Sequence, residues 1–150
     1  VFTQCKWTSL KNANITCLDY SMDMLEQAER RFNGYAHIKC IQGDVGNLQM
    51  DDESFDIVLS MNGFHAFPDK KKAFQETWRV LKSGGTFIAC FYVKGKSKIT
   101  DWLVKNVLAK KGWFSPPSQT EEELRAILQT LYFQFQFLIT CSCVFIPLYI

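Results

Sequence analysis

The sequence predicts an α/β fold built on an open, mostly parallel β-sheet with helices on both faces. Three observations indicate this class. Between residues 14 and 93, short apolar runs alternate with amphipathic segments. The runs are separated by helix-length segments, as parallel strands with right-handed crossovers require. Hydrophobic residues make up 47% and charged residues 21% of the 150 residues, a balance typical of one globular domain.

The first two strands and the helix between them follow from local pattern. Residues 14–19 (NITCLD) and 37–44 (HIKCIQGD) predict strands. Ser21 is suited to cap a helix that runs from about Met22 to Phe32. The apolar face of this helix comprises Met24, Leu25, Ala28 and Phe32.

The next strand–helix–strand unit spans residues 51–93. Residues 55–60 (FDIVLS) are continuously apolar after Asp56, so we expect a strand that is buried on both faces. A helix from Asp69 to Leu81 follows, and KSGG ends it before a fourth strand at 86–93. The inward side chains of this helix are predicted to be Ala73, Phe74, Thr77, Trp78 and Leu81.

The pattern changes beyond residue 95. An amphipathic helix is predicted to end at Gly112, with Trp102, Leu103, Val107 and Leu108 on its apolar face. Thr120 and Glu123 then form a capping box at a further helix start. No charge follows Arg125, and the F-Q-F-Q-F alternation predicts a strand segment at 129–150. A membrane span, which two glutamines oppose, and a disordered tail are the alternatives.

Composition narrows the partners and the compartment. The net charge of +2 does not favour nucleic-acid binding. The six cysteines lack the C-x-x-C spacing of zinc sites, so we expect free thiols, no metal site and a cytoplasmic location.

Polar residues follow three of the four predicted strands. Asp19 ends the first, Gly43 and Asp44 end the second, and Ser60-Met61-Asn62-Gly63 ends the third. Ligands of open parallel sheets bind at the carboxyl ends of the strands. Two acids at successive strand ends predict a nucleoside site, with one acid on the ribose and the other on the adenine edge. For Asp19 taken alone, a role next to the helix cap is the alternative.

Three stretches resemble successive motifs of one enzyme family: ITCLDYSMDMLEQAERRF, IQGDVGNLQMDDESFDIVLSMNGFHAFPD and FQETWRVLKSGGTFIACFY. They are similar to the class I S-adenosylmethionine-dependent methyltransferases. Within that family, they are most similar to the small-molecule group that includes the ubiquinone and menaquinone biosynthesis methyltransferases. The resemblance covers roughly residues 10–128. It implies a Rossmann-like doubly wound fold and methyl transfer from S-adenosylmethionine to a small molecule.

The resemblance also implies roles for individual residues. Asp19 would bind the ribose hydroxyls, and Asp44 would accept a hydrogen bond from the adenine amino group. The methionine part of the cofactor would lie beside Met61 and Asn62. The other residues implied at the cofactor are Tyr20, Met24, Gly43 and Val45.

The family begins with a strand and a glycine-rich G-x-G loop, and no G-x-G occurs in this sequence. We therefore expect a methyltransferase domain at 1–128 that is truncated at its N-terminus, followed by the strand segment at 129–150. The truncation would leave unpaired strand edges at Asp19 and Ser60, which the apolar tail could fill, and would make the chain aggregation-prone. The alternative functions are a non-catalytic fragment and a nicotinamide-dependent oxidoreductase.

The sequence identifies no firm catalytic residue. His65 is a tentative one, because an imidazole can orient or deprotonate a methyl acceptor. The alternative is a loop histidine bonded to backbone. Trp102, Trp113 and Phe114 flank a basic, proline-containing stretch, which is either a lid over the substrate or ordinary aromatic core.

Overall fold

The computed structural model describes residues 10–131, 134–135, 138–140 and 143–149, with side chains for 10–130. The chain divides into two compact units, Val1–Gln49 and Met50–Ile150.

The first unit contains two parallel strands and one helix. Strand β1 (Ile15–Asp19) pairs with β2 (Ile38–Gln42), in register from Ile15 opposite Ile38 to Asp19 opposite Gln42. Between them lies helix α1 (Met22–Phe32), whose bounds confirm the predicted helix. Its buried residues are Leu25, Ala28 and Phe32.

Ser21 does not cap α1 with its side chain, which corrects the predicted role. Its backbone N–H instead donates to Asp19 Oδ1, at 2.9 Å. The carboxylate two residues upstream thus closes a local turn at the point where the strand becomes a helix.

The second unit contains a five-stranded sheet. Strand β3 (Phe55–Met61) pairs in parallel with β4 (Leu81–Tyr92). Three short strands follow: β5 (Gln134–Phe135), β6 (Leu138–Thr140) and β7 (Cys143–Tyr149). The order is β3-β4-β7-β5, and β6 pairs with β7. The helices are α2 (Lys70–Val80), α3 (Lys98–Leu103) continued by a π-helical turn (Val104–Leu108), and α4 (Glu121–Leu131).

Within the described residues, β5, β6 and β7 follow α4, and the partner of β7 in the earlier sheet is β4 rather than β1 or β3. Strand β7 pairs antiparallel with β4, from Thr86 opposite Tyr149 to Tyr92 opposite Cys143. It therefore lies on the side of β4 away from β3. Strand β4 is twelve residues long and provides a backbone edge for all seven residues of β7.

Phenylalanines dominate the core of the second unit. Phe64 follows β3 and is 1% exposed. Its ring stacks on Phe74 of α2 at 4.2 Å between centroids and contacts Phe87 and Phe91 of β4 at 5.6 and 5.5 Å. The core thus joins α2, β4 and the segment after β3.

Two burial predictions are wrong. Ile57, Leu59 and Met61 lie on one face of β3 and are exposed, Ile57 to 62%. Val58 and Ser60 on the other face are half-buried, so only that face of the strand is partly covered. In the predicted helix before Gly112, Trp102 is 62% exposed and Val104 is buried instead. Val107 and Leu108 are half-buried and lie three and four residues after Val104, on the same helix face, and Trp102 lies off that face. Within the described residues, none of the helices has the length and apolarity to cross a membrane.

Candidate functional site

The ends of β1 and β2 are tied together by hydrogen bonds. The Gly43 N–H donates to the carbonyl oxygen of Asp19 at 3.1 Å, and the Gln42 side-chain amide donates to that of Tyr20 at 3.1 Å. A Cβ at position 43 would lie 2.9 Å from Leu18 Cδ1, so glycine permits this close approach. The turns that carry Asp19 and Asp44 therefore begin side by side.

The Asp19 carboxylate keeps one oxygen available. Its Oδ1 accepts from the Ser21 N–H, and no hydrogen bond from the described residues reaches Oδ2. Asp19 is half-buried, Tyr20 beside it is 77% exposed, and Met24 is half-buried in the first turn of α1. A carboxylate in this position can accept hydroxyl donors next to an aromatic and an apolar side chain.

Asp44 has a similar arrangement after β2. Its Oδ1 accepts from the Gly46 N–H at 2.8 Å, and its carbonyl oxygen accepts from the Asn47 N–H at 3.0 Å. The side chain is exposed and the next residue, Val45, is half-buried. The turn thus presents a carboxylate oxygen and the backbone of Val45. The structure brings the six predicted residues of the first unit to one end of β1 and β2.

Met61 and Asn62 lie at the end of β3 in the second unit. Asn62 has a φ of +58°, a left-handed conformation that asparagine tolerates better than most residues. Its N–H donates to the carbonyl oxygen of Cys90 at 2.6 Å. A Cβ at Gly63 would lie 2.8 Å from both Phe67 Cζ and Ser60 Oγ. The backbone therefore turns sharply directly after the strand, a geometry that is frequent at functional sites.

His65 lies in the segment between this turn and α2. Its ring stacks on Phe114 with 4.1 Å between centroids and an 18° interplanar angle. Its Nδ1 is buried, and no described residue makes a hydrogen bond to it. Burial, together with the charge of Lys70, lowers the pKa of His65 below its usual range. The ring is therefore uncharged at neutral pH, with a nitrogen that has no hydrogen-bond partner among the described residues.

Two residues that sequence reasoning missed hold Phe114 against His65. Lys70 is 8% exposed, and its Nζ donates to the carbonyl oxygens of Ser115 at 2.7 Å and Phe67 at 3.2 Å. The Ser115 N–H donates to the carbonyl oxygen of His65, at 2.9 Å. Lys70 stands in a run of three lysines, and nothing local distinguishes it from its solvent-exposed neighbours.

A third missed feature joins the end of β4 to α3. The Tyr92 hydroxyl donates to Asp101 Oδ1 at 2.5 Å, and the Gly95 N–H donates to both oxygens of Asp101. Burial and the Asp101 carboxylate raise the pKa of Tyr92. Tyr92 also contacts Phe114 edge-on at 5.5 Å, whereas Trp102 and Trp113 are exposed. Of the three aromatic residues predicted as lid or core, only Phe114 packs against this cluster.

We expect the free energy of unfolding to decrease more steeply with falling pH in the wild type than in a variant that lacks His65. Its folded-state pKa lies below the value of about 6.5 for an unfolded chain. The unfolded state therefore binds the proton first, and stability is lost as the pH falls below about 6.5. Urea unfolding between pH 7.5 and pH 5 should show a smaller decline for His65→Phe, which retains an aromatic ring. Equal declines for the two proteins would contradict a depressed pKa.

Comparisons with known proteins agree on one family. Residues 3–89 match the family model described as a methyltransferase domain, which is more than half of the chain. A demethylmenaquinone methyltransferase from Staphylococcus epidermidis is 39% identical over 74 residues, covering 49% of this chain and 31% of that protein. A 2-methyl-6-phytyl-1,4-hydroquinone methyltransferase from Oryza sativa is 35% identical over 94 residues, covering 61% of this chain and 26% of that protein. The chain thus spans about a third or less of the length of these curated relatives.

The fold is also similar to that of solved structures. A SAM-dependent methyltransferase from Thermotoga maritima matches with a TM-score of 0.71 at 22% identity, covering 90% of this chain and 72% of that one. At this identity the likeness concerns the fold, and it confirms the predicted Rossmann-like α/β class. Since the family model covers more than half of the sequence, the chain belongs to the methyltransferase domain family.

Proposed function

We propose that this protein transfers a methyl group from S-adenosylmethionine to a small-molecule acceptor. The observation that carries the proposal is the pair of strand-end carboxylates, Asp19 and Asp44. Each has one oxygen engaged by a backbone N–H of its own turn, and no described residue bonds to the other oxygen. The family match favours this reaction over hydride transfer with a nicotinamide cofactor.

The first unit would bind the nucleoside part of the cofactor. Asp19 would accept the two ribose hydroxyls, the interaction that an acid at a strand end typically makes. Asp44 would accept from the exocyclic amine of adenine, and the Val45 backbone would contact the same ring. Met24 and Tyr20 offer apolar and aromatic surface, and Gly43 allows the backbone to pass close to the ligand.

In the second unit, Met61 and Asn62 would lie beside the methionine part. Bound S-adenosylmethionine supplies an electrophilic methyl group on a sulfonium. The residues of the chain then position the acceptor and exclude water, which can supply much of the rate. His65 is held neutral, so it could accept the proton of an acceptor hydroxyl. The Phe114 ring stacks on the imidazole, and Lys70 donates to the carbonyl oxygen of the next residue, Ser115. These two contacts would keep the imidazole in place.

The acceptor class that we favour is a quinol. Two relatives are named as methyltransferases of demethylmenaquinone and of a phytyl hydroquinone. A quinol hydroxyl loses its proton as its ring becomes nucleophilic, and a neutral imidazole is a suitable proton acceptor.

Cytoplasm is the compartment we propose, because Cys17, Cys40 and Cys90 are free thiols.

Methyl transfer can be tested with cofactor that carries a ¹³C-labelled methyl group. The chain is incubated with this cofactor and a panel of prenylated quinols, and the products are analysed by mass spectrometry. We expect a labelled methyl group on at least one quinol, and less product from His65→Phe. Cofactor binding in calorimetry without any labelled product would instead support the non-catalytic alternative. Absence of both binding and product would contradict the proposal.

Asp44 should discriminate adenine from hypoxanthine. A hydrogen bond to a charged carboxylate contributes about 1.5–3 kcal/mol, so a hypoxanthine analogue of the cofactor should bind about tenfold or more weakly. In Asp44→Ala this penalty should largely disappear, and in Asp51→Ala, another exposed acid, it should persist. Calorimetric titration with both cofactors measures the ratio. The same ratio in wild type and Asp44→Ala would remove Asp44 from the adenine site.

A further inference from the structure

Two cysteines face each other in the first unit. Cys17 of β1 and Cys40 of β2 are register partners, so their side chains lie on the same face of the strand pair. Both are free thiols and both are half-buried. Neighbouring strands are about 4.8 Å apart, which sets the spacing of the two side chains.

Neither thiol is a strong nucleophile on its own. Burial, together with the neighbouring Cys40, raises the pKa of Cys17 to about 11. Burial also raises the pKa of Cys40, and the neighbouring Cys17 partly offsets this increase. Both groups are therefore protonated at neutral pH and should react slowly with reagents that attack one thiol.

A single atom bonded to both sulfurs could bridge this register pair. An atom that forms two bonds of about 2.3 Å to sulfur at a tetrahedral angle spans sulfurs about 3.8 Å apart. Over the described part of the chain, no group of three or more His, Cys, Asp and Glu side chains could hold a metal ion. The pair therefore offers two sulfur ligands rather than a four-ligand zinc site.

We propose that Cys17 and Cys40 form a dithiol site for a thiophilic electrophile that can form two bonds to sulfur. Trivalent arsenic is the representative of this chemical class. With an organoarsenic oxide, each sulfur forms one bond to arsenic and each thiol gives up its proton. The oxide oxygen leaves with both protons as water, and no oxidation state changes. Cys40 also lines a shallow groove with Glu29, Phe32 and Ile38, which gives the reagent a route to the site.

The site adjoins the proposed nucleoside turns. Cys17 is two residues before Asp19, and Cys40 is three residues before Gly43. A bridge between the sulfurs would hold β1 and β2 together immediately before those turns. The dithiol site depends only on the strand pairing, so it stands independently of the proposed methyl transfer.

The test uses phenylarsine oxide and the full chain with serine at the other four cysteine positions, 5, 90, 141 and 143. We expect one adduct per chain in the intact mass and the loss of both thiols from titration with a thiol reagent. A twenty-fold excess of a monothiol should leave the adduct in place, and 2,3-dimercaptopropanol should remove it. Either further substitution, Cys17→Ser or Cys40→Ser, should weaken binding about a hundredfold or more. The reason is that the second sulfur–arsenic bond forms within the same molecule, and a single thiol cannot form it.

Unfolding supplies an independent control. In urea the two strands separate, so binding should weaken strongly although both thiols remain. If the chain with the four serines does not fold, the original chain is compared with its Cys17→Ser and Cys40→Ser variants. The reagent should remove two titratable thiols from the original chain and none from either variant. Each variant, which starts with one thiol fewer, should therefore end with one more titratable thiol than the original chain. The proposal is overturned if the single-thiol variants bind as tightly as the pair, if one adduct leaves a thiol titratable, or if urea has no effect.

Discussion

Replacing Phe64 with alanine should lower the free energy of unfolding by about 3–5 kcal/mol, the range for truncating a buried phenylalanine. Phe64 is 1% exposed and follows the Met61–Asn62 turn directly. Its ring contacts Phe74, Phe87 and Phe91, with the closest pair stacked at 4.2 Å. Removing it leaves a cavity between α2 and β4 that these rings cannot fill without leaving their rotamers.

Urea unfolding monitored by tryptophan fluorescence measures this loss. Phe64→Leu, which retains most of the volume, should cost considerably less. Ile99→Ala is the matched surface control: Ile99 is 82% exposed, so its change should stay within about 0.5 kcal/mol. A loss below about 1 kcal/mol for Phe64→Ala would mean that the phenylalanine cluster is not the centre of this core.

Asp19→Ala should weaken S-adenosylmethionine binding at least about tenfold. The lost interactions are charge-assisted hydrogen bonds from two ribose hydroxyls, each worth about 1.5–3 kcal/mol. Calorimetry gives the affinities, and Asp19→Asn, which retains an acceptor oxygen without the charge, should have an intermediate affinity. Asp23→Ala is the control, because Asp23 lies in the first turn of α1 and has no proposed ligand contact.

Two outcomes distinguish a ligand role for Asp19 from a purely structural one. The carboxylate also accepts from the Ser21 N–H, so the variant could disturb the start of α1. Circular dichroism and the unfolding midpoint measure that effect separately from affinity. If the affinity is unchanged in a folded variant, the only role left to Asp19 is closing the turn between β1 and α1.

Local pattern predicted the elements of the first unit well. Helix α1 occupies Met22–Phe32 as expected, and β1 and β2 lie within the predicted runs. The Thr120–Glu123 capping box is also confirmed, with reciprocal bonds of 2.9 and 3.3 Å. These features depend on residues a few positions apart, whose spacing the sequence shows directly. The proximity of the Asp19 and Asp44 turns followed from a general property of parallel strands, whose carboxyl ends meet at one edge.

Contacts between distant residues required the tertiary structure. Lys70 donates to the carbonyl oxygen of Ser115, 45 residues later, although its side chain looks like any lysine at a helix start. Ile57 is exposed in a run that reads as fully buried, because burial depends on which elements cover a face. The pairing of Cys17 with Cys40 depends on strand register, since a shift of one residue would place them on opposite faces. Periodicity and capping are local properties that the sequence determines by itself, whereas register and packing arise only when separate elements meet in space.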